Sequence, residues 1–369
     1  MNLGRETAPA VLLAFLLVAA APARGDEADD FMRAEMSKRR IPGAALLVAR
    51  GGRVVKLKAY GLANAELNVP AGEETLFQLA SLTKTFTAVA VMSLAEEGRL
   101  SLDAKARSLL PSLPRAWGGV TVRQLLSHTS GLPDVSLGDD TDEVIAATLP
   151  EALRKLARMR PAARPGARWA YNQTGYVLLG IIVEKVSGVG FEEFMARRFF
   201  RPLGMTRTVF GDDGRVVIGR ASMYTRYERQ SDKEPSPAGL WTHRNLFPAY
   251  LHPAGGLNTS AADLAKWDAA LSGGRLLKPA SLAEMWLTAR LSGGRAARLG
   301  GTLGYGLGWM VDERAGHRAA GHSGGDAVSY IRFLDDGLSV AVLTNCQGAD
   351  PDSLAFGVAS LYVPALGRD

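Results

Sequence analysis

Strand-like segments stand near both ends of this chain, and a long stretch with helical patterning separates them. The segments are residues 44–49 and 54–60 near the start, and residues 306–311, 329–334 and 338–343 near the end. Gly51-Gly52 joins the first pair and Asp335-Asp336-Gly337 joins the last, and both are hairpin-turn signals. Because strands bury their apolar faces by pairing, the two chain ends are predicted to share one antiparallel sheet.

The middle of the chain, residues 100–250, contains short helical segments between Pro and Gly residues and no series of strands. A longer helix is predicted at residues 81–97, where apolar side chains occur nearly all round, as in a buried helix. The fold class is therefore α/β (α+β), an antiparallel sheet flanked by helices plus an all-helical subdomain. We assign the sheet subdomain to residues 24–99 and 251–369 and the helical subdomain to residues 100–250.

The N-terminal segment is typical of a signal peptide. Arg5 lies in a short polar start, residues 8–20 are apolar, and Ala21-Pro22-Ala23 is a small-x-small cleavage site. A membrane anchor is the alternative, but about 13 apolar residues are fewer than the roughly 20 that span a bilayer. We expect residues 1–23 to be removed and the protein to be periplasmic or secreted, with no stable membrane insertion after cleavage.

Composition excludes several classes of function. The chain has 369 residues and a net charge of +6, with its 43 basic side chains dispersed, which argues against a nucleic-acid partner. Its single cysteine, Cys346, cannot form an internal disulfide, and the five histidines include no His-x-x-x-His pair. The glycines at 304, 306 and 308 resemble a dinucleotide loop but lead into a strand, so we interpret them as a tightly packed strand crossing. No cofactor or metal is expected.

A pair of side chains on the predicted helix has the spacing of a catalytic pair. Ser81 and Lys84 are three residues apart, so they share one face of a helix. A serine hydroxyl is a weak nucleophile until a base removes its proton, and a lysine amine becomes that base when burial lowers its pKa. At the N-terminus of a helix, free backbone N–H groups also favour a developing oxyanion.

Two further segments carry groups that could move a proton or hold a substrate. Tyr171 begins the segment YNQTGY at residues 171–176, and His322 lies in GHSGG at residues 321–325, beside the C-terminal strands. His128 follows a helix end and is interpreted as structural.

Five further phrases occur together with these segments in the order of a known family. They are FQLASLTK (77–84), LLSHTSGL (125–132), PLGM (202–205), AGGL (254–257) and YGLGW (305–309). On these residues the chain resembles the serine β-lactamase and penicillin-binding-protein superfamily, most closely its class C β-lactamase-like branch. That branch includes D,D-carboxypeptidases, D-aminopeptidases and carboxylesterases, and the resemblance implies a β-lactamase/transpeptidase-like fold.

The resemblance implies a role for each motif residue. Ser81 would be the acylated nucleophile, Lys84 its base and Tyr171 a proton relay, while the backbone N–H groups of Ser81 and Gly325 would form the oxyanion hole. The substrate-binding residues would be Gln173, His322, Ser323 and Gly324.

Two positions depart from the family pattern. Gln173 stands where Asn is usual, one methylene longer, and His322 stands where true class C β-lactamases have Lys. A histidine with an ordinary pKa near 6.5 is mostly neutral at pH 7, so recognition of a substrate carboxylate should weaken.

The sequence therefore predicts an exported serine hydrolase that acts on esters or D-amino-acid peptides. Its partners would be small-molecule esters, peptides or β-lactams. The alternatives are a β-lactamase with efficient deacylation and a non-catalytic sensor that binds cell-wall fragments. Oligomeric state is left open.

Overall fold

The structure is a computed structural model that describes residues 26–135, 148–227 and 239–367. The predicted signal peptide, residues 1–23, lies outside the described residues and stays a prediction, as does the division into subdomains. The helices are α1 (Glu27–Arg39), α2 (Thr83–Glu96), α3 (Ala106–Leu109), α4 (Val122–Leu126), α5 (Leu149–Arg158), α6 (Gln173–Ser187), α7 (Phe191–Met195), α8 (Arg201–Leu203), α9 (His252–Gly255), α10 (Ala261–Ser272), α11 (Pro279–Met285) and α12 (Pro351–Tyr362).

The strands that the structure describes form one large sheet and two small ones. They are β1 (Gly43–Arg50), β2 (Arg53–Asn64), β3 (Val69–Pro70), β4 (Phe77–Gln78), β5 (Val209–Phe210), β6 (Tyr224–Thr225), β7 (Trp241–Thr242), β8 (Leu257–Thr259), β9 (Arg298–Leu299), β10 (Leu303–Tyr305), β11 (Met310–Arg314), β12 (His317–Gly324), β13 (Val328–Phe333), β14 (Leu338–Thr344) and β15 (Cys346–Gln347).

The large sheet joins the two ends of the chain, as predicted. Within the described residues it has nine strands in the order β3-β2-β1-β14-β13-β12-β11-β10-β9, and neighbouring strands run antiparallel. β1 pairs with β14 at its centre, from Ala44 opposite Thr344 to Arg50 opposite Leu338. The antiparallel sheet of the α/β fold class is thus confirmed.

Helices cover both faces of the sheet, which explains why β1 is an almost continuous apolar run. Leu46 and its even-numbered neighbours in β1 pack in a cluster with Met32 of α1 and Leu354 of α12. Leu47 and its odd-numbered neighbours pack on the other face, in the main core with Phe86 of α2 and Trp267 of α10. The sheet is therefore the middle layer between two helical layers.

The helix that contains Lys84 starts later than the sequence indicated. α2 spans Thr83–Glu96, and the preceding Ala80–Leu82 form a turn of 3₁₀ helix. Among the described helices none is by itself long and apolar enough to cross a membrane; α6 and Phe191–Leu203 pass that requirement only as a pair bent by 71°.

Two details of the strands differ from the sequence-based expectation. Residues 306–311 are not one strand: β10 and β11 flank a crossing at residues 306–309. A Cβ at Gly306 would lie 2.2 Å from the Met285 carbonyl oxygen, and one at Gly308 would lie 2.4 Å from Ala88 Cβ on α2, so the predicted tight packing is confirmed. In addition, the middle stretch contains the two-residue strands β5, β6 and β7. β5 pairs with β8, and β6 pairs with both β15 and β7.

Candidate active site

Ser81 lies in a strained turn just before α2. The preceding Ala80 has φ of 43°, in the left-handed region that is unfavourable for a residue with a Cβ. β4 fixes the position of the chain that leads into Ser81. Phe77 and Gln78 pair with β8, and the Leu79 N–H donates to the Leu257 carbonyl oxygen at 2.8 Å. Non-glycine residues in this region persist where their surroundings over-determine them, which is common at functional sites. Ser81 is partly exposed, whereas Leu82, Thr83 and Lys84 after it are buried.

Lys84 is fully buried directly beneath Ser81. Its Nζ lies 3.2 Å from Ser81 Oγ and donates to the Ala254 carbonyl oxygen at 2.7 Å. The same nitrogen lies 4.8 Å from the ring centre of Tyr171. Burial lowers the pKa of Lys84 to about 7, although the carboxylate of Asp134 opposes the shift. Ser81 and Lys84 therefore form the predicted pair, with an amine that can be neutral near pH 7.

The ring of Tyr171 packs against the same nitrogen. Its hydroxyl oxygen is buried and, among the described residues, has no well-formed hydrogen bond, although the Ser81 hydroxyl is its neighbour. Burial raises the pKa of Tyr171, and the nearby Ser81 hydroxyl opposes the shift only in part. The side chain is therefore a protonated phenol over the whole range in which Lys84 titrates.

Asn172, rather than Gln173, is the buried amide of this motif. Asn172 caps α6: its Oδ1 accepts from the Gly175 N–H at 2.8 Å, and its Nδ2 donates to the Leu132 carbonyl oxygen at 3.0 Å. Gln173 is partly exposed, and its backbone N–H donates to the Asp134 carboxylate at 3.2 Å. The sequence analysis missed this role of Asn172, although Asn before a helical run is a recognised N-cap signal. Substrate contact by Gln173 stays a prediction.

The third motif lies on β12, a strand that the sequence analysis did not predict. His322 is only 2% exposed, and its ring centre lies 6.2 Å from that of Tyr171. Burial, together with the charge of Lys84, lowers the pKa of His322 to about 3. The imidazole is thus more firmly neutral than its ordinary pKa implied, and it supplies no fixed positive charge for a substrate carboxylate.

The end of β12 is pressed against the segment that carries Ser81. A Cβ on Gly324 would lie 2.0 Å from the Leu79 carbonyl oxygen, so only glycine fits there. Gly325 follows with φ of 58°, and a Cβ on it would lie 3.2 Å from Ala80 Cβ. Ser323 is partly exposed. The structure therefore places the two residues of the predicted oxyanion hole, Ser81 and Gly325, on adjoining segments.

Two buried side chains complete the site and were not predicted to belong to it. The ring of His128 lies 4.3 Å from that of Tyr171, centre to centre. Tyr305, the last residue of β10, lies between two imidazoles, with its hydroxyl 3.1 Å from His128 Nε2 and 3.1 Å from His322 Nε2. The signal that could have pointed to them is their position inside the phrases LLSHTSGL and YGLGW.

Comparison with known proteins gives a consistent result. A family model described as Beta-lactamase matches residues 28–361. Penicillin-binding protein 4* of Bacillus subtilis (strain 168) is 31% identical over 314 residues, which cover 81% of this chain and 67% of that protein.

Solved structures agree with this match. The octameric penicillin-binding protein homologue from Pyrococcus abyssi superposes with a TM-score of 0.73 at 30% identity, covering 91% of this chain and 77% of that one. A D-stereospecific amidohydrolase from Streptomyces sp. gives a TM-score of 0.70 at 27% identity, covering 90% of this chain and 96% of that one. The predicted resemblance is confirmed.

Proposed function

Because the chain belongs to the Beta-lactamase family and is a serine hydrolase of the β-lactamase fold, we propose that Ser81 is its nucleophile and Lys84 its general base. The observation that carries the proposal is the environment of Lys84. Its amine is fully buried, 3.2 Å from Ser81 Oγ, and has a pKa of about 7. A base works best when its pKa lies near the operating pH.

Acylation then proceeds with the groups already in place. The neutral amine of Lys84 donates one N–H to the Ala254 carbonyl oxygen, which leaves its lone pair free to take the proton of Ser81. Ser81 Oγ bonds to the substrate carbonyl carbon, and the carbonyl electron pair moves to oxygen. The backbone N–H groups of Ser81 and Gly325 stabilise that oxyanion.

Tyr171 completes the proton transfer. As a phenol it donates its proton to the leaving alcohol or amine while the bond to the acyl carbon breaks, and it regains a proton from the ammonium of Lys84, which lies over its ring. A water molecule next attacks the acyl carbon, and its proton passes to Lys84. The bond from that carbon to Ser81 Oγ then breaks, and Lys84 returns a proton to Ser81. The cycle needs no cofactor.

For the substrate we propose a small ester or a D-amino-acid peptide, as in carboxylesterases and D,D-carboxypeptidases. The acyl group would lie along β12 at Ser323 and Gly324, with Gln173 at the other edge of the cleft. Since His322 is neutral and buried, the β12 edge of the cleft offers no fixed cation to a substrate carboxylate. That feature favours substrates bound through neutral hydrogen bonds over β-lactams that depend on their carboxylate. The chain spans about two thirds of Penicillin-binding protein 4*, so any shared substrate is part of this proposal.

Labelling with a fluorophosphonate, followed by peptide mass spectrometry, tests the nucleophile. We expect one adduct, on Ser81, and none on Ser81→Ala, which is the matched control. A folded protein that neither labels nor hydrolyses an activated ester would favour the alternative of a non-catalytic binding protein.

Substrate class is tested by turnover of p-nitrophenyl esters, D-alanyl-D-alanine peptides and nitrocefin by the same preparation. We expect the esters or D-peptides to turn over and nitrocefin to acylate with little turnover. Steady nitrocefin turnover at the ester rate would instead support the β-lactamase alternative.

Export is tested separately by N-terminal sequencing of the protein from a secreting host. We propose a mature chain that starts near Arg24. Retention of residues 1–23 would contradict the proposal.

A further inference from the structure

The hydrogen bonds of His322 fix which of its ring nitrogens carries the proton. Nδ1 lies 2.6 Å from the Ser323 carbonyl oxygen, which only accepts hydrogen bonds, so the proton is on Nδ1. In a neutral imidazole the other nitrogen is then an acceptor. Nε2 therefore accepts from the hydroxyl of Tyr305, 3.1 Å away.

The hydrogen bonds of His128 fix the opposite tautomer. Its Nδ1 accepts from the Asn172 backbone N–H at 3.1 Å, so Nδ1 carries no proton and Nε2 does. Nε2–H donates to the oxygen of Tyr305 at 3.1 Å. The Tyr305 hydroxyl therefore accepts from one histidine and donates to the other, and the four hydrogen bonds run in one direction from Asn172 N–H to the Ser323 carbonyl.

This chain of hydrogen bonds is buried and uncharged. His128, Tyr305 and His322 are 1%, 0% and 2% exposed. Burial, with a smaller effect from the charge of Lys84, keeps the pKa of His128 well below its ordinary value, and burial raises the pKa of Tyr305. A proton added to His128 Nδ1 would face the Asn172 backbone N–H, and two donors facing each other are costly in a buried site.

The backbone at His128 supports a positioning role. Its φ of 57° lies in the left-handed region, which is costly for a residue with a side chain of this size. The strained backbone brings Nδ1 to Asn172 N–H and Nε2 to Tyr305 at once.

Both ends of the chain of hydrogen bonds are backbone atoms beside groups of the proposed mechanism. Asn172 N–H adjoins Tyr171, and the Ser323 carbonyl lies two residues before Gly325. We propose that Tyr305 is a positioning residue that, with His128, locks His322 in its Nδ1–H tautomer and thereby holds the β12 edge in register with the Tyr171 segment. This inference rests on the proposed function for the roles of Tyr171 and Gly325. His322 then acts by holding the edge of the site, since both of its ring nitrogens already have protein partners.

The tautomers are measured directly by ¹⁵N NMR of the histidine rings in the wild-type protein, where protonated and unprotonated ring nitrogens resonate far apart. Assignments come from His128→Gln and His322→Gln. We expect His322 protonated on Nδ1 alone and His128 on Nε2 alone at pH 7. Protonation of His322 on Nε2 would overturn the inference without any measurement of activity.

Tyr305→Phe tests the consequence for catalysis. It removes the hydroxyl that joins the two imidazoles and keeps the ring. We expect the single tautomer of His322 to be lost and kcat for an ester to fall by about 10–100-fold, with KM changed far less, because the groups that act in the transition state lose their alignment.

Tyr330→Phe is the matched control. Tyr330 is also fully buried and lies opposite His322 in the β12–β13 register, but its hydroxyl donates to Asp268. We expect it to leave kcat and both tautomers as in wild type. An unchanged kcat and tautomer in Tyr305→Phe, or equal losses in the two variants, would overturn the inference. Failure of the proposed function is separate, because it would appear as absent Ser81 labelling in the wild-type protein.

Discussion

Two lysines in this protein, one fully buried and one partly buried, have opposite surroundings. Lys84 lies under Ser81 with a backbone carbonyl as its closest acceptor, and burial lowers its pKa to about 7. Lys56 on β2 is 11% exposed and lies 2.7 Å from the carboxylates of both Asp26 and Asp29. Burial alone would lower the pKa of Lys56 as well, but hydrogen bonds to the two carboxylates raise it.

The difference shows what separates a base from a structural cation. An amine taken out of water loses hydration, and only an adjacent anion restores the charged form. Lys56 has two such anions and stays charged, so it can serve only as an ion-pair partner of these carboxylates. Lys84 has none in contact among the described residues, so it exchanges a proton near neutral pH, which is the property a serine nucleophile needs.

The largest contrast should appear when each lysine is replaced by methionine. We expect Lys84→Met to lower kcat/KM for an ester by about 10²–10⁴-fold, since it removes the general base but fits the apolar surroundings. Lys56→Met should leave kcat/KM near the wild-type value. Equal losses in the two variants, measured on protein with wild-type circular dichroism, would remove the distinction between them.

Removing the anion from the structural cluster should affect stability instead of activity. Asp29 accepts from Lys56, Lys58 and Tyr60 and is buried. We expect Asp29→Asn to lower the free energy of unfolding by about 1–3 kcal/mol in urea titrations at pH 7, because a neutral amide replaces the charged acceptor of three hydrogen bonds, although Lys56 keeps Asp26 as a partner. Activity of the folded fraction should be unchanged.

The loss of unfolding free energy in Asp29→Asn should depend on pH in a definite direction. Burial would raise the pKa of Asp29, but the hydrogen bonds from Lys56, Lys58 and Tyr60 more than offset it, so the folded pKa lies below the unfolded one. The stabilisation is therefore complete above the unfolded pKa of about 3.9 and is lost as pH falls through the lower, folded pKa. The difference between Asp29→Asn and wild type should shrink in that window, and a difference that does not vary with pH would argue against the cluster.

The pH dependence of kcat/KM should follow the titration of Lys84 and not that of Lys56. Because the base must be neutral, we expect kcat/KM to rise about tenfold per pH unit below 7 and to level off above it. The raised pKa of Tyr171 keeps the phenol protonated, so the plateau should extend to alkaline pH. Lys56→Met should give the same curve. A profile that still rises at pH 9 would indicate an ordinary lysine pKa.

The smallest expected effect concerns the strained turn before Ser81. Ala80 holds a left-handed backbone that costs about 1–2 kcal/mol, and glycine adopts it freely. Ala80→Gly should therefore raise the free energy of unfolding by up to about 1 kcal/mol, measured by thermal denaturation, with lower activity from a looser Ser81. A loss of stability would show that the turn is not strained.

Sequence patterns predicted the parts of this molecule that depend on local order. The hairpin of β1 and β2, the turn before β14 and the burial of Lys84 follow from runs of apolar residues and turn signals close along the chain. β12 was missed because residues 317–324 contain alanine and glycine and lack β-branched residues. It is a strand because β11 and β13 pair with it on both sides.

The chain of hydrogen bonds through Tyr305 could not be predicted in this way. His128 and Tyr305 are 177 residues apart, and their contact exists only once the chain ends have joined in the sheet. The tautomers depend on atoms of Asn172 and Ser323 that no periodicity reveals.

An NMR titration of the Lys84 side chain measures directly whether its amine is neutral near pH 7. In protein carrying ¹³C-labelled lysine, the Cε resonance that disappears in Lys84→Met identifies the residue. We expect this resonance to titrate with a pKa of about 7 and that of Lys56 to titrate above the ordinary lysine range. A Lys84 resonance that titrates near 10.4, as in a solvated lysine, would contradict it.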